Sequence, residues 1–553
     1  MQRRQLIILA LCILLPSLFL WQNVMELRAE EPRRAIVSLE MLLTGEWIVP
    51  HINGWTYYNK PPFFNWIMAF FFWLFQSFDE WVVRFPALLS ACIHAWLIYS
   101  ICKNYLRKEV AILAGLIYIT AGEILFFGSI TSGEIDLFFS LITFLQVYAI
   151  YKFNKNQSYL LLYTVSYSLA AIGLLTKGLP SVAFQGLTLV AWTIYTRNWK
   201  SFFSLYHVLG GFIFISLTGT YFYHFSLQDD VIGFLVRQYK EAAMRTGLET
   251  ENTSTFKGVF LFIPGFLKLL LPWSLFLILS ITQLKKVIKN NSFITFWLIF
   301  ILVNIPIYWI SGDFKARYYY VFMAAISVII AELIYSGLEN QVKLYWVLRR
   351  VLIGISFILP SAFLLCVFID LPINVNNLNL RLIILFVLSL CAAVIFLKSK
   401  EWLFGFVVVL AVARVALNLL YLPAWQNDKS IAYYRQSADE MLEISQGNPI
   451  FFYGEPYVFS SDASFGPLKF KEVRLTTAPL MNYRIPYYLS RKTHSVMEFD
   501  EEMLDQQFYL TRKDMVDSSK LKILYRLHDN WQKQDYVLVN FTSSVSDLGN
   551  NTK

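Results

Sequence analysis

Four short stretches of this 553-residue chain carry charge where the surroundings are apolar. They are AEEPRRAIVSLEMLLTG (29–45), YYNKPPFFNW (57–66), TSGEIDLFF (131–139) and LLTKGLP (174–180). Glu30 and Glu31 are carboxylates that can take a proton from an attacking hydroxyl, and Arg33 beside them is an anion partner. Lys60 is held extended by the proline pair that follows it. Asp136 enters an apolar run, where an unpaired carboxylate is expensive, so it should face a cavity or a cation. Lys177 is its mirror case, a lysine on the side that the positive-inside rule disfavours. Arg237, Lys240 and Arg245, and later Lys315 and Arg317 in GDFKARYYY, add cations on that side. Each feature has a bland reading: an amphipathic surface helix with acids at its N-terminus, a snorkelling lysine, a helix-capping acid, a hairpin turn. Together they suit a lipid-phosphate substrate, with cations on the phosphate and a carboxylate on the attacking group.

These residues need a scaffold, and the composition names its class. Hydrophobic residues make up 57% of the chain and charged residues 15%, against about 25% charged in soluble domains. The mean hydropathy is +0.50. Repeated apolar runs of about 18 residues or more indicate an all-α polytopic membrane protein. The net charge of +9 sits in short Lys/Arg clusters between those runs, the positive-inside pattern rather than a nucleic-acid surface. The five cysteines, Cys12, Cys92, Cys102, Cys366 and Cys391, fall inside the runs with neither disulfide nor metal-ligand logic. MQRRQLIILALCILLPSLFLW reads as an uncleaved first helix with Arg3 and Arg4 in the cytoplasm, because no small-residue cleavage site follows it.

Basic clusters at 103–108, 152–155, 197–200, 285–289, 343–350 and 398–400 then mark cytoplasmic connections and give about thirteen spans. This count requires that PPFFNWIMAFFFWLF be a hairpin or an interfacial segment. The first outer connection covers about 25–85. Pro32 and Gly45 predict a helix between them, and Thr131 or Ser132 is a candidate cap for the helix that Asp136 enters. Residues 1–424 form the membrane part. Beyond it, charge rises and short alternating stretches such as PIFFYGEPYVF and DYVLVNF predict a small extracytoplasmic α/β domain over 425–553.

The stretch EEPRRAIVSLEMLLTGEWIVPHINGWTYYNKPPFFNW, with GEIDLFF and LLTKGLP, resembles the membrane glycosyltransferases of GT-C fold that use polyprenyl-phosphate sugars. The aminoarabinose transferases that modify lipid A are most alike, with the protein O-mannosyltransferases beside them. The likeness is good over about the first 200 residues and rests on topology thereafter. It implies a GT-C fold and transfer of a sugar from a polyprenyl (undecaprenyl) phosphate, with inversion, to lipid A or another extracytoplasmic glycolipid or glycan. The implied location is the periplasmic face of the inner membrane. Glu30 would match the essential acid, Arg33 the conserved arginine, Lys60 the lysine before the prolines, Asp136 the acid of the fourth span and Lys177 the lysine of the Thr-Lys-Gly turn. Glu30 and Asp136 are then catalytic candidates; Glu31, Arg33, Lys60, Lys177, Arg237, Arg245, Lys315 and Arg317 are substrate-binding candidates. Glu30 stands where the family usually has Asp, which leaves the division of labour with Glu31 open. Asn59 stands in place of a common Glu, which weakens a metal site there. A divalent metal stays an option, and no other cofactor is implied. A protein acceptor is the alternative within the enzyme class. A lipid-linked-sugar flippase or a receptor is the alternative outside it, although no internal repeat supports a transporter.

Overall fold

The computed structural model describes residues 2–130, 132–245, 254–309, 315–369, 375–426, 432–454, 458–465, 468–477, 482–500, 502–516, 521–530 and 532–541. Among the described residues nine helices are long and apolar enough to cross a bilayer, from Glu80–Cys102 to Trp402–Trp425. The chain is a multi-pass membrane protein, because such a run satisfies its backbone polar groups internally only as helix. The expected count of about thirteen spans is thus matched only as far as these nine; the helices Arg3–Phe19, Lys108–Thr120, Pro180–Thr196 and Ser254–Leu269 are each shorter.

The chain divides into two compact units. The first holds residues 1–25, 84–218 and 242–428 and is a helical bundle. Two fully buried guanidiniums hold it together by donating to backbone carbonyls, Arg414 near helix ends, where carbonyls lack intrahelical partners, and Arg84 in the turn after the first helix. Arg414 donates to Leu125 O at 2.6 Å, to Ser17 O at 3.3 Å and to Ser129 Oγ at 2.5 Å. Arg84 donates to the carbonyls of Gln22 and Met25. Small residues let backbones meet: a Cβ on Gly115 would lie 2.6 Å from Ala95 O.

The second unit holds residues 26–83, 219–241 and 429–553. The expected first-loop helix is present as Glu31–Thr44, with Pro32 in its first turn and Gly45 closing it at φ +78°. Its Ile36, Val37, Leu39 and Met41 are buried. The segment after the proline pair is one helix, Phe63–Phe75, and not a hairpin. At about 1.5 Å per residue its 13 residues fall short of a span. Between these helices Asn53 and Gly54, both at positive φ, turn a hairpin of His51–Ile52 and Trp55–Thr56. The Glu40 carboxylate holds that turn, accepting from Asn53 N–H at 2.6 Å and Gly54 N–H at 3.2 Å.

The C-terminal α/β part is also present. Its mixed sheet runs, in spatial order, Phe499–Asp500, Ile450–Tyr453, Phe508–Arg512, Gln534–Asn540 and Ile523–Asp529. Strand Ile450–Tyr453 alternates buried and half-buried residues, as its sequence predicts. Helices Tyr433–Ile444 and Arg484–Thr493 from this part grip both ends of the first loop. Glu26 accepts from Tyr434 N–H, Arg435 N–H and Arg484 at 3.1–3.3 Å. Glu80 accepts from Arg435 and Arg491, each at 3.2 Å. Leu27 N–H donates to Tyr488 Oη at 2.8 Å, and Tyr487 Oη donates to Phe78 O at 2.5 Å.

Burial pushes the Glu26 carboxyl up to about 7, against Arg484 and the backbone donors, and the Glu40 carboxyl up to about 8. A carboxyl whose folded value is raised binds a proton that the unfolded chain releases near 4.5. Its contribution is therefore full below about 4.5 and lost as pH rises through about 8. The thermal midpoint of the detergent-solubilised protein is expected to fall between about pH 5 and about pH 8, and Glu40→Gln is expected to flatten that slope. Parallel slopes for the two proteins would contradict the assignment.

Candidate functional site

The charged candidates are divided between the two units. In the second unit, the helix Glu31–Thr44 presents Glu30 and Arg33 on one edge of its first turn. They form an ion pair at 2.7 Å with side chains 31% and 22% exposed, so both remain open to a ligand. Glu31 is fully buried and accepts from Arg28 N–H at 2.9 Å. The structure thus gives the two acids different environments: Glu31 takes part in the chain turn, and Glu30 stays at the surface beside a cation. Burial opposes the charge on Arg33, but Tyr57, Tyr483 and Glu30 outweigh it and hold the guanidinium above its ordinary range. The Arg33 guanidinium carbon lies 4.8 Å from the centre of the Tyr483 ring.

Arg34, which the sequence reading passed over, is buried with neutral partners, Tyr57 Oη and Asn65 Oδ1. Asn65 Nδ2 in turn donates to Arg34 O at 2.9 Å and Ser38 Oγ at 3.0 Å, locking the Phe63–Phe75 helix to the first-loop helix. Lys60 is half-buried in the link between them. Its neighbour Asn59 accepts from Arg237 Nε at 3.0 Å, and Gln238 Nε2 donates to Tyr58 O at 2.6 Å. The helix Val231–Arg245 is thereby tied to the Lys60 segment. A Glu at position 59 would neutralise Arg237; the Asn leaves its charge intact. Arg245 ends this helix, and its side chain lies outside the described residues.

In the first unit, Asp136 opens the helix Asp136–Lys155 and Lys177 closes Tyr159–Lys177. Each charge sits at the helix end whose dipole favours it. They meet at 2.6 Å, with side chains 6% and 3% exposed. The rings of Phe139, Tyr318 and Tyr308 surround the Lys177 ammonium at 5.0, 5.6 and 5.9 Å, so the cation is held by π faces as well as by its carboxylate. Gly178, at φ +94°, makes the turn that sends the chain into Pro180–Thr196. Arg317 pairs with Glu134 at 3.3 Å, and Lys315 lies exposed just before the turn Ala316–Tyr319. Glu123, also unrecognised in the sequence, accepts from Tyr320 Oη at 2.9 Å, and Ser140 Oγ donates to Tyr320 O at 2.7 Å. A Cβ on Gly128 would come within 2.5 Å of that tyrosine oxygen. The expected capping role of Ser132 is not met: Ile135 holds the cap position, Ser132 Oγ points to Arg84 O at 3.5 Å, and Thr131 lies outside the described residues. Among the described residues no group of three or more His, Cys, Asp or Glu is placed to hold a metal ion.

The whole chain superposes on two solved structures of ArnT from Cupriavidus metallidurans. Against the form bound to undecaprenyl phosphate the TM-score is 0.67 at 18% identity, covering 97% of this chain and 98% of that one. Against the apo form it is 0.69 at 16% identity, with the same coverage. The fold is that of ArnT. This is the GT-C architecture that the sequence resemblance implied. Residues 59–223 match the family model of dolichyl-phosphate-mannose-protein mannosyltransferase. The undecaprenyl phosphate-alpha-4-amino-4-deoxy-L-arabinose arabinosyl transferase of Edwardsiella ictaluri is 32% identical over 206 residues, which is 36% of this chain and 35% of that protein. The match thus spans about a third of the relative's length. The likeness to polyprenyl-phosphate-sugar transferases read from the first-loop motifs is borne out.

The coupling of Asp136 to Lys177 has a direct test. Lys177→Met leaves a buried carboxylate without its cation and is expected to cost about 3–5 kcal/mol. The double variant Asp136→Asn/Lys177→Met should lose much less. If the double loss in thermal unfolding equals the sum of the single losses, the two groups are not coupled.

Proposed function

We propose that the chain is an integral membrane glycosyltransferase that moves a sugar from undecaprenyl phosphate to lipid A or another extracytoplasmic glycolipid or glycan. Its place in this reading is the inner membrane, with the chemistry on the periplasmic side. Residues 1–424 carry the transfer and 425–553 form the periplasmic domain. The carrying observation is the Glu30–Arg33 pair, a carboxylate and a guanidinium left partly exposed at the head of a rigid helix. The full-length likeness to an ArnT bound to undecaprenyl phosphate supports the donor class.

The acceptor oxygen attacks C1 of the sugar while the bond from C1 to the phosphate oxygen breaks, so the configuration inverts. The bonding pair leaves on the phosphate, which changes from a diester with one negative charge to a monoester approaching two. Cations placed in advance stabilise this transition state more than the ground state. In the second unit Arg33 and Lys60 are the candidate cations for this charge; in the first unit the candidate is Lys177, held by Asp136 and the surrounding rings. Arg237, Arg245, Lys315 and Arg317 remain substrate-binding candidates on their charge. With a hydroxyl acceptor, Glu30 takes the released proton; with a phosphate acceptor it positions the nucleophile and no strong base is needed. Glu31 supports the turn that holds Glu30. The family model's description favours a protein acceptor as the second reading.

Purified protein given several undecaprenyl-phosphate sugars, with lipid A, glycan and peptide acceptors, is expected to yield a glycosylated lipid detectable by mass spectrometry. Glu30→Gln should lower turnover by about 100-fold or more with a hydroxyl acceptor while retaining donor binding. Near-normal turnover in that variant would remove Glu30 from the mechanism, and peptide product alone would favour the second reading.

A further inference from the structure

Arg33 is fixed by a residue from the far end of the chain. Its guanidinium pairs with Glu30 at 2.7 Å, lies 4.8 Å from the Tyr483 ring centre and hydrogen-bonds to the Tyr483 side chain. Its buried Nε–H has no hydrogen-bond acceptor among the described residues. Tyr483 sits immediately before the helix Arg484–Thr493, and its neighbours on both sides are pinned. Asn482 N–H donates to Asp529 Oδ2 at 3.1 Å, and Asn482 Oδ1 accepts from Arg484 N–H at 3.0 Å. Arg484 pairs with Glu26 at 3.2 Å and lies 4.9 Å from the Tyr434 ring centre. Glu26 stands four residues ahead of Glu30, so one set of contacts fixes the approach to the acid and the place of the ring.

We propose that Tyr483 is a positioning residue for the glycosyl transfer, acting through Arg33, and that the C-terminal α/β part thereby belongs to the transfer apparatus. This rests on the function proposed above. The physical reason is a difference between two ways of holding a cation. A second carboxylate would neutralise Arg33 and compete with the phosphate. A π face attracts the guanidinium, fixes its plane and leaves its charge available. Glu30 alone leaves the plane free to turn about the ion pair. The ring on a pinned segment removes that freedom.

The test compares Tyr483→Phe, Tyr483→Leu and Tyr483→Ala with the wild type in the full-length protein, reading KM for the undecaprenyl-phosphate sugar, kcat and the thermal midpoint. Phe keeps the ring, loses only the hydroxyl's hydrogen bond to Arg33 and is expected to stay within about threefold of wild type, whereas Leu, with no π face, should raise KM about tenfold, the size of a partly desolvated cation–π contact. Ala should lose at least as much as Leu. The thermal midpoint of the Leu variant should stay close to that of wild type. If Leu matches Phe in an active enzyme, the ring is dispensable and this proposal alone is overturned. If Phe and Leu lose activity equally along with a lowered midpoint, Tyr483 is only structural and the proposal is again overturned. A wild type inactive on every donor overturns the functional reading itself, and the role of Tyr483 falls with it.

Discussion

A carboxylate taken out of water has to find a cation or a set of N–H donors, and the layout of this protein follows from how it meets that demand. Asp136 and Lys177 are each nearly inaccessible, and neither is affordable in an apolar bundle without the other. Their pairing fixes the start of one helix against the end of another and brings three aromatic rings onto the lysine. In the second unit, Glu26 and Glu80 do the same work at the two ends of the first loop. Three arginines from two C-terminal helices answer them, so a long connection becomes a fixed platform. Two buried arginines also donate to backbone carbonyls, Arg414 to those of Ser17 and Leu125 and Arg84 to those of Gln22 and Met25.

Against this background the exposed pairs stand out. Glu30–Arg33 and Arg317–Glu134 keep part of their surface open, although each lies beside fully buried charge. Both are more open than Asp136–Lys177, and in the proposed reading Glu30–Arg33 supplies the base and a cation. The separation of Glu30 from Glu31 is the clearest example. Adjacent acids of nearly equal chemistry are divided by the helix start, one turned to a backbone N–H and the other to a guanidinium.

The local parts of this arrangement were legible in the sequence because local chemistry determines them. Pro32 and Gly45 bound the first-loop helix, Gly178 makes the turn after Lys177, and the alternation in PIFFY appears as a strand. Asp136 needed a cation on cost alone, and the lysine flagged for lying on the disfavoured side supplies it. Long-range choices were not legible. Nothing around Tyr483 announces that its ring will meet Arg33, and Glu123 looks like an ordinary helix acid until Tyr320 donates to it. One local expectation also failed for a physical reason: Ser132 lies too far before Asp136 to cap it. The segment after Pro62 has residues for one helix too short to span, in keeping with the interfacial alternative.

The central claim is a single displacement at C1, driven by charge stabilisation on the leaving phosphate with no covalent sugar–enzyme intermediate. The most direct measurement is the anomeric configuration of the purified product by proton NMR, starting from an undecaprenyl-phosphate sugar of known anomeric form. The account predicts the opposite anomer in the product. A product that retains the donor's configuration would contradict it.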